Sequence, residues 1–298
     1  MSALLLAIAS GLLMSLIGVA FGFGGRHGLR PPHIAVFMGL AGAAVFGALA
    51  GPAVLRAAPP AVWLAGLAVG LTQYAGLVAL GAALRRGPLS PAWCAAAMVF
   101  LPVLAYARLA LGEKVGGLRL AGVVLACVCV VLASLQGQGT PGPGKRPRSG
   151  RATLLYGLLL VAVVVNGSSL VVGIKDFSSR LLADGRTWMD AHGLVLLAAS
   201  YGVFGLCMLA ETLLRPPPAA SRRAQWLAGL VAAAGSIGGF ALLRHAAAAP
   251  AAVVFPANSV ASLLGASVVS VLFLRERVTP LWFGMLAAGV AAVVLVGL

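Results

Sequence analysis

The chain has 298 residues, 61% of them hydrophobic and only 9% charged, with a mean hydropathy of +1.05. A soluble domain carries about a quarter charged residues, and runs of roughly 20 apolar residues span a bilayer as helices, so the chain reads as an all-α integral membrane protein. The net charge of +15 comes from 21 Lys and Arg against 6 Asp and Glu; these basic residues flank apolar runs, where they meet headgroups, and do not form a nucleic-acid patch.

Ten apolar segments follow one another, at approximately 3–24, 32–55, 60–83, 89–112, 116–135, 152–174, 189–213, 223–244, 249–274 and 278–298. The first lacks the basic start of a signal peptide and outruns a normal signal core, so it is expected to stay as a membrane helix. Between the fifth and sixth lies QGQGTPGPGKRPRSGR, residues 136–151, a Gly, Pro and basic stretch with nothing to bury. That is linker composition, and it divides the chain into 1–135 and 152–298, five segments each. RPPPAASRR at 215–223 closes the seventh segment, because consecutive prolines stop a helix.

The two halves share a phrase. WLAGL occurs at 63–67 and again at 226–230, an offset of 163. In the same register Gly76 meets Gly239, Leu80 meets Leu243, and LGEKV at 111–115 meets LRERV at 274–278, aligning Glu113 with Glu276. This is the signature of an internal duplication. Five spans is an odd number, so two such units joined in tandem enter the membrane in opposite directions. The expected fold is ten transmembrane helices as two inverted five-helix repeats, an arrangement that supports alternating access.

At this point the chain resembles the drug/metabolite transporter superfamily, specifically its EamA-type ten-helix transporters. The likeness rests on ARLALGEKVGGLRLAGVVLACVCVVLAS at 107–134 and on the stretch from Pro256 to Leu298. In that family each repeat ends with a Gly-Glu-basic turn and a last helix carrying a Gly about nine residues on. Gly122 follows Glu113 by nine; Gly284 follows Glu276 by eight, and Arg275 stands where the pattern has Gly. The resemblance implies a substrate path surrounded by helices one, three, four, six, eight and nine. Read on their own, Glu113 and Glu276 are repeat-motif turn residues that favour the N-terminus of the following helix through its dipole.

Polar residues inside a membrane face a cavity or a partner helix. The candidates for a substrate cavity are Ser15, Gln73, Tyr74, Trp93, Asn166, Ser168, Ser236 and Asn258. The primary amides Gln73 and Asn258 have both donors and an acceptor to satisfy. Ser259, Ser262 and Ser270 form a stripe expected to pack a neighbouring helix. The first helix contains no acid, which disfavours proton-coupled export of drug cations. Glu211 alone approaches the membrane interior, near Arg215. Arg244, His245 and Lys175 could meet an anion, though such residues commonly snorkel to headgroups.

The four histidines are scattered, and Cys127 and Cys129 point to different helix faces. No catalytic constellation, metal site or cofactor is expected. The functional expectation is a transporter of a small neutral, zwitterionic or anionic metabolite, as a monomer or homodimer among membrane lipids. A membrane-embedded enzyme or non-transport protein is the alternative. Thirteen basic residues fall in the loops after odd-numbered helices and eight in the others, which places the first set in the cytoplasm and both termini outside, in a bacterial inner membrane.

Overall fold

The computed structural model describes residues 2–86, 95–136, 150–182, 185–274 and 280–298. Helices run in chain order as α1 (Ala3–Arg26), α2 (Pro31–Ala57), α3 (Pro60–Arg86), α4 (Phe100–Leu109), α5 (Gly117–Gln136), α6 (Gly150–Gly167), α7 (Ser169–Ser179), α8 (Trp188–Leu214), α9 (Arg222–Ala246), α10 (Ala251–Leu274) and α11 (Pro280–Gly297). Together α6 and α7 make one span, the sixth. Among the described residues eight spans are long and apolar enough to cross a membrane, and 95–109 and 117–132 are two shorter apolar helices. The chain is therefore an all-α multi-spanning membrane protein. Large apolar side chains such as Leu64, Leu158, Leu206, Leu227 and Val290 face outward, as a lipid-facing surface requires.

Local chemistry sets the boundaries. Pro31, Pro60 and Pro280 open their helices, where a missing N–H costs nothing. Thr187 and Asp190 cap the start of α8 reciprocally, each side chain accepting from the other's backbone N–H. Within α2, Gly51 adopts φ 75 immediately before Pro52. Glycine tolerates that conformation, and proline cannot donate to the ladder, so α2 kinks there. The sixth span carries NGSS at 166–169. Asn166, Ser168 and Ser169 donate their side-chain hydrogens to the carbonyls of Ala162, Val165 and Asn166. Such back-bonding bends helices, and Ser168 separates α6 from α7. The sequence reading had one unbroken helix here.

The packing is symmetric between the halves. The first span packs on the eighth, and the sixth on the third. The third packs on the seventh, and the eighth on the second. The second with the seventh and the fifth with the tenth pair across the middle. The two WLAGL copies obey this pattern. Gly66 in α3 closes on Leu196 and Ala199 of α8, while Gly229 in α9 closes on Phe37 of α2. Gly76 approaches Asn166 and Gly167 of α6, while Gly239 approaches Ser10 and Met14 of α1. A Cβ at Gly66, Gly229 or Gly239 would strike the neighbouring helix, and one at Gly76 would be tight against it, so small residues suit these crossings. The small stripe on α10 packs α1 as expected, with Gly11 against Ala261 and Ser262 and Gly18 against Ala266.

Candidate functional site

Because spans alternate in direction, one face of the protein carries the start of α1 and the end of α11, and is called the terminal face. The other carries the end of α5 and the start of α6, and is called the linker face. The two are built differently.

The terminal face is pinned by an ion pair with a buried lysine, and carries a cavity of about 150 Å³ lined by Ser178, Thr187, Asp190, Arg244 and His245 among others. α4 ends at Leu109, and three residues on Gly112, with φ 68, turns the chain sharply just before Glu113. Its carboxylate meets the Lys175 ammonium at 2.5 Å, and the Lys175 side chain is only 2% exposed. Lys175 also donates to the carbonyls of Ala247, at 3.2 Å, and Ala249, at 3.0 Å. The second Glu113 oxygen accepts from the Ala251 N–H at 2.8 Å, at the first residue of α10. All three ammonium donors are thus used, as burial of a charge demands. Two expectations are corrected here. Glu113 caps α10, in the other half of the chain, and not the helix that follows it. Lys175 does not snorkel; its acceptors lie inside the protein. Nearby, Tyr106 donates to Asp176, which also pairs with Arg180 at 2.7 Å. The Asp176 hydrogen bond raises the Arg180 guanidinium above its ordinary value.

Several expected cavity residues hold helices together in the middle of the bundle. The Asn258 amide of α10 donates to Ser10 Oγ at 2.8 Å and to the Ala7 carbonyl at 3.3 Å, and Ser10 donates to the Gly239 carbonyl at 2.8 Å. That chain ties α1, α9 and α10. Ser236 shares a hydrogen bond with Tyr201 of α8, both fully buried. Ser15 donates to the Leu12 carbonyl and packs against Gly265. Asn166 and Ser168 bond their own helix. Tyr74 packs beside Val36, Phe204 and Met208. Gln73 is half-buried on α3. Trp93 and Glu276 lie outside the described residues.

On the linker face a cavity of about 890 Å³ opens between the start of α2, α3 and the end of α8, lined by Leu29, Arg30, His33, Gly81, Arg215 and Pro216 among others. His33 is buried and sets this rim. Its Nδ1 accepts from the Arg30 N–H, so its Nε2–H donates to the Arg215 carbonyl at 2.7 Å. Gln225 donates to the His33 carbonyl and Ser221 to the His27 carbonyl, tying α9 to the same rim. Below this cavity lies a much smaller one, of about 30 Å³, which shares Arg30, Pro31, Gly81 and Arg215 with it and adds Leu77, Val78, Met208 and Glu211. Among the described residues, one Glu211 oxygen, Oε2, is buried without a hydrogen-bond partner.

The sequence reading did not reach the Glu113–Lys175 pair, the His33 rim or the Tyr201 hydroxyl. A lone lysine at the end of an apolar segment was the one available signal for the first. Its partner lies 62 residues away, and only the fold brings them together.

No protein-family model matches the chain, and no curated protein matches it. A solved structure titled "Crystal structure of protein" is similar in fold, with a TM-score of 0.76 over 98% of this chain and 95% of that chain, at 18% sequence identity. At that identity the likeness shows the fold alone.

Proposed function

We propose that the chain is a membrane transporter that moves a small neutral, zwitterionic or anionic metabolite by alternating access. The observation that carries the reading is the difference between the two faces. A cavity of about 890 Å³ opens on the linker face, within the size range of small-molecule sites. On the terminal face a bonded ion pair ties α7, the start of α10 and the turn after α4 together, and the cavity there is smaller, about 150 Å³. A wide cavity on one face and a narrower, ion-paired arrangement on the other support a reading as one state of an alternating-access cycle.

The symmetric helix contacts support an inverted repeat of 1–135 and 152–298 around the 136–151 linker, and with it the EamA-type drug/metabolite transporter reading. Gln73, Tyr74, Trp93 and Asn166 remain our leading candidates for substrate contact, with Ser15, Ser168, Ser236 and Asn258 shaping the path around them. The reading takes the chain to be no enzyme, with no cofactor, in a bacterial inner membrane, as a monomer or homodimer with both termini outside. On that orientation the open cavity faces the cytoplasm.

The test is flux. Purified protein is screened against metabolites for thermal stabilisation, since a ligand raises stability only by binding the folded state. The hits are then assayed for protein-dependent movement into liposomes. Stabilisation with no movement would leave a binding protein and refute transport.

A further inference from the structure

We propose that the groove between α2, α8 and α9, just beneath the linker face, is a binding site for one anionic phospholipid, which lays an acyl chain in the groove and sets its phosphate at Arg222 and Arg223. The site stands apart from the transporter reading and does not depend on it.

The groove has a volume of about 390 Å³ and is lined by Phe37 and Ala41 of α2, Leu209 and Thr212 of α8, and Gln225 and Trp226 of α9, among others. Thr212 and Gln225 are its only polar lining among the described residues, and Gln225 already donates to the His33 carbonyl. The rest is hydrocarbon. Phe37 and Trp226 meet edge to face with ring centroids 4.7 Å apart, so two packed rings hold one wall in place.

Depth selects the occupant. All three helices have an end on the linker face: α2 starts at Pro31, α9 starts at Arg222 and α8 stops at Leu214. Thr212 and Gln225 lie within a turn of those ends. Ala41 is further in, about 15 Å from the start of α2 at 1.5 Å per residue. The groove therefore begins at headgroup level, where tryptophan is at home, and runs into the hydrocarbon of that leaflet, where acyl chains are the matter on hand. A partner helix, about 10–12 Å across with its side chains, is wider than such a recess.

Charge selects the headgroup. Arg222 and Arg223 are exposed at the start of α9. Arg222 precedes Gln225 by three residues and Trp226 by four, and Arg223 precedes Trp226 by three, spacings that put both arginines on the helix face lining the groove. Helix side chains lean toward the N-terminus, which here is toward the headgroups. No acid lines the groove among the described residues; Glu211, next to Thr212 in the chain, lines the neighbouring cavity with Arg30 and Arg215. Guanidiniums meet phosphate oxygens with paired donors. A zwitterionic headgroup brings its own ammonium, which two arginines repel. Gln225 links the groove to the cavity rim through the His33 carbonyl, so a bound lipid braces α2, α8 and α9 at that rim.

The experiment gives the full chain, in detergent, phosphatidylglycerol or phosphatidylethanolamine with the same acyl chains and reads bound lipid by native mass spectrometry. The first phosphatidylglycerol should be held at least tenfold more tightly than the first phosphatidylethanolamine. Arg222→Gln combined with Arg223→Gln should abolish that preference. Arg56→Gln combined with Arg108→Gln, an equal loss of exposed charge on the terminal face, should keep it. Ala41→Phe should release the lipid with the charge unchanged, and glycerophosphoglycerol, the headgroup without chains, should not displace it. In liposomes, phosphatidylglycerol with a photoreactive diazirine in its acyl chain should label 36–41 or 209–212, and this readout decides the question if Ala41→Phe fails to fold. Equal retention of the two lipids, equal losses from the two arginine pairs, displacement by the bare headgroup, or labelling confined to other helices overturns the proposal. So does a dimer that Ala41→Phe splits, which would give the groove to a second copy of the chain.

Discussion

Breaking the terminal-face ion pair from either side should cost unequal amounts, and the inequality follows from burial. Lys175 is 2% exposed and Glu113 24%. Glu113→Gln leaves a buried ammonium with no counter-charge. The one amide oxygen cannot serve Lys175 and the Ala251 N–H as two carboxylate oxygens do. Removing one partner of a buried pair costs about 3–5 kcal/mol, and this variant belongs in that range. Lys175→Met leaves a carboxylate that water still reaches and that still bonds Ala251 N–H. Its main loss is the hydrogen bonds to the Ala247 and Ala249 carbonyls, about 1–3 kcal/mol. The double variant removes the stranded charge, so it should be more stable than Glu113→Gln alone, with a coupling energy of about 0.5–3 kcal/mol. Equilibrium unfolding in detergent, with all four proteins folded beforehand, measures the cycle. If Glu113→Gln stays within about 0.5 kcal/mol of wild type, a shift ordinary surface substitutions give, and the cycle is additive, the pair does not latch this face.

Glycine contacts give a second contrast. Gly205→Ala places a Cβ 2.8 Å from the Gly39 backbone and should destabilise by about 1–3 kcal/mol, whereas Gly47→Ala meets open space and should stabilise by about 0.5–1 kcal/mol through helix propensity; thermal unfolding of both reads the sign. Asn258→Leu strands its Ser10 and Ala7 partners and should lower stability by about 1–3 kcal/mol, while Gln73→Leu should lower flux and leave the melting temperature unchanged; a matched loss in both assays for Gln73→Leu would remove it from the path. A C-terminal reporter active only in the cytoplasm should stay silent, and a strong signal would invert the orientation drawn from the basic residues.

The spans were legible because apolar run length and helix length are the same quantity in a membrane. The symmetry of the helix contacts was legible because Trp63 and Trp226 are rare letters that hold one register, and the glycine three residues after each sits where helices cross. The site was less readable. A polar residue in an apolar run announces that it needs a partner, and the partner's identity is tertiary. Asn258 satisfies its amide on Ser10 and Ala7, and Ser236 satisfies its hydroxyl on Tyr201. Lys175 looked like a headgroup contact because nothing local showed that Glu113 would arrive from the other half. His33 gave no signal either, since its two partners belong to the first loop and to the end of α8.

The turn at Ser168 changes how far the latch must move. From Ser168 to Lys175 is about 10 Å of helix at 1.5 Å per residue. A kink of about 20° at Ser168 would carry the ammonium some 3–4 Å sideways, enough to part it from its acceptors. α6 could meanwhile stay seated on α3, because Gly76 touches the chain at Asn166 and Gly167, before the turn. The first span offers no equivalent joint: α1 runs unbroken over 24 residues, packed against α9 and α10 and bonded to them at Ala7 and Ser10. One end of this protein therefore has a short leaf on a hinge, and the other a single stiff bar that must swing whole.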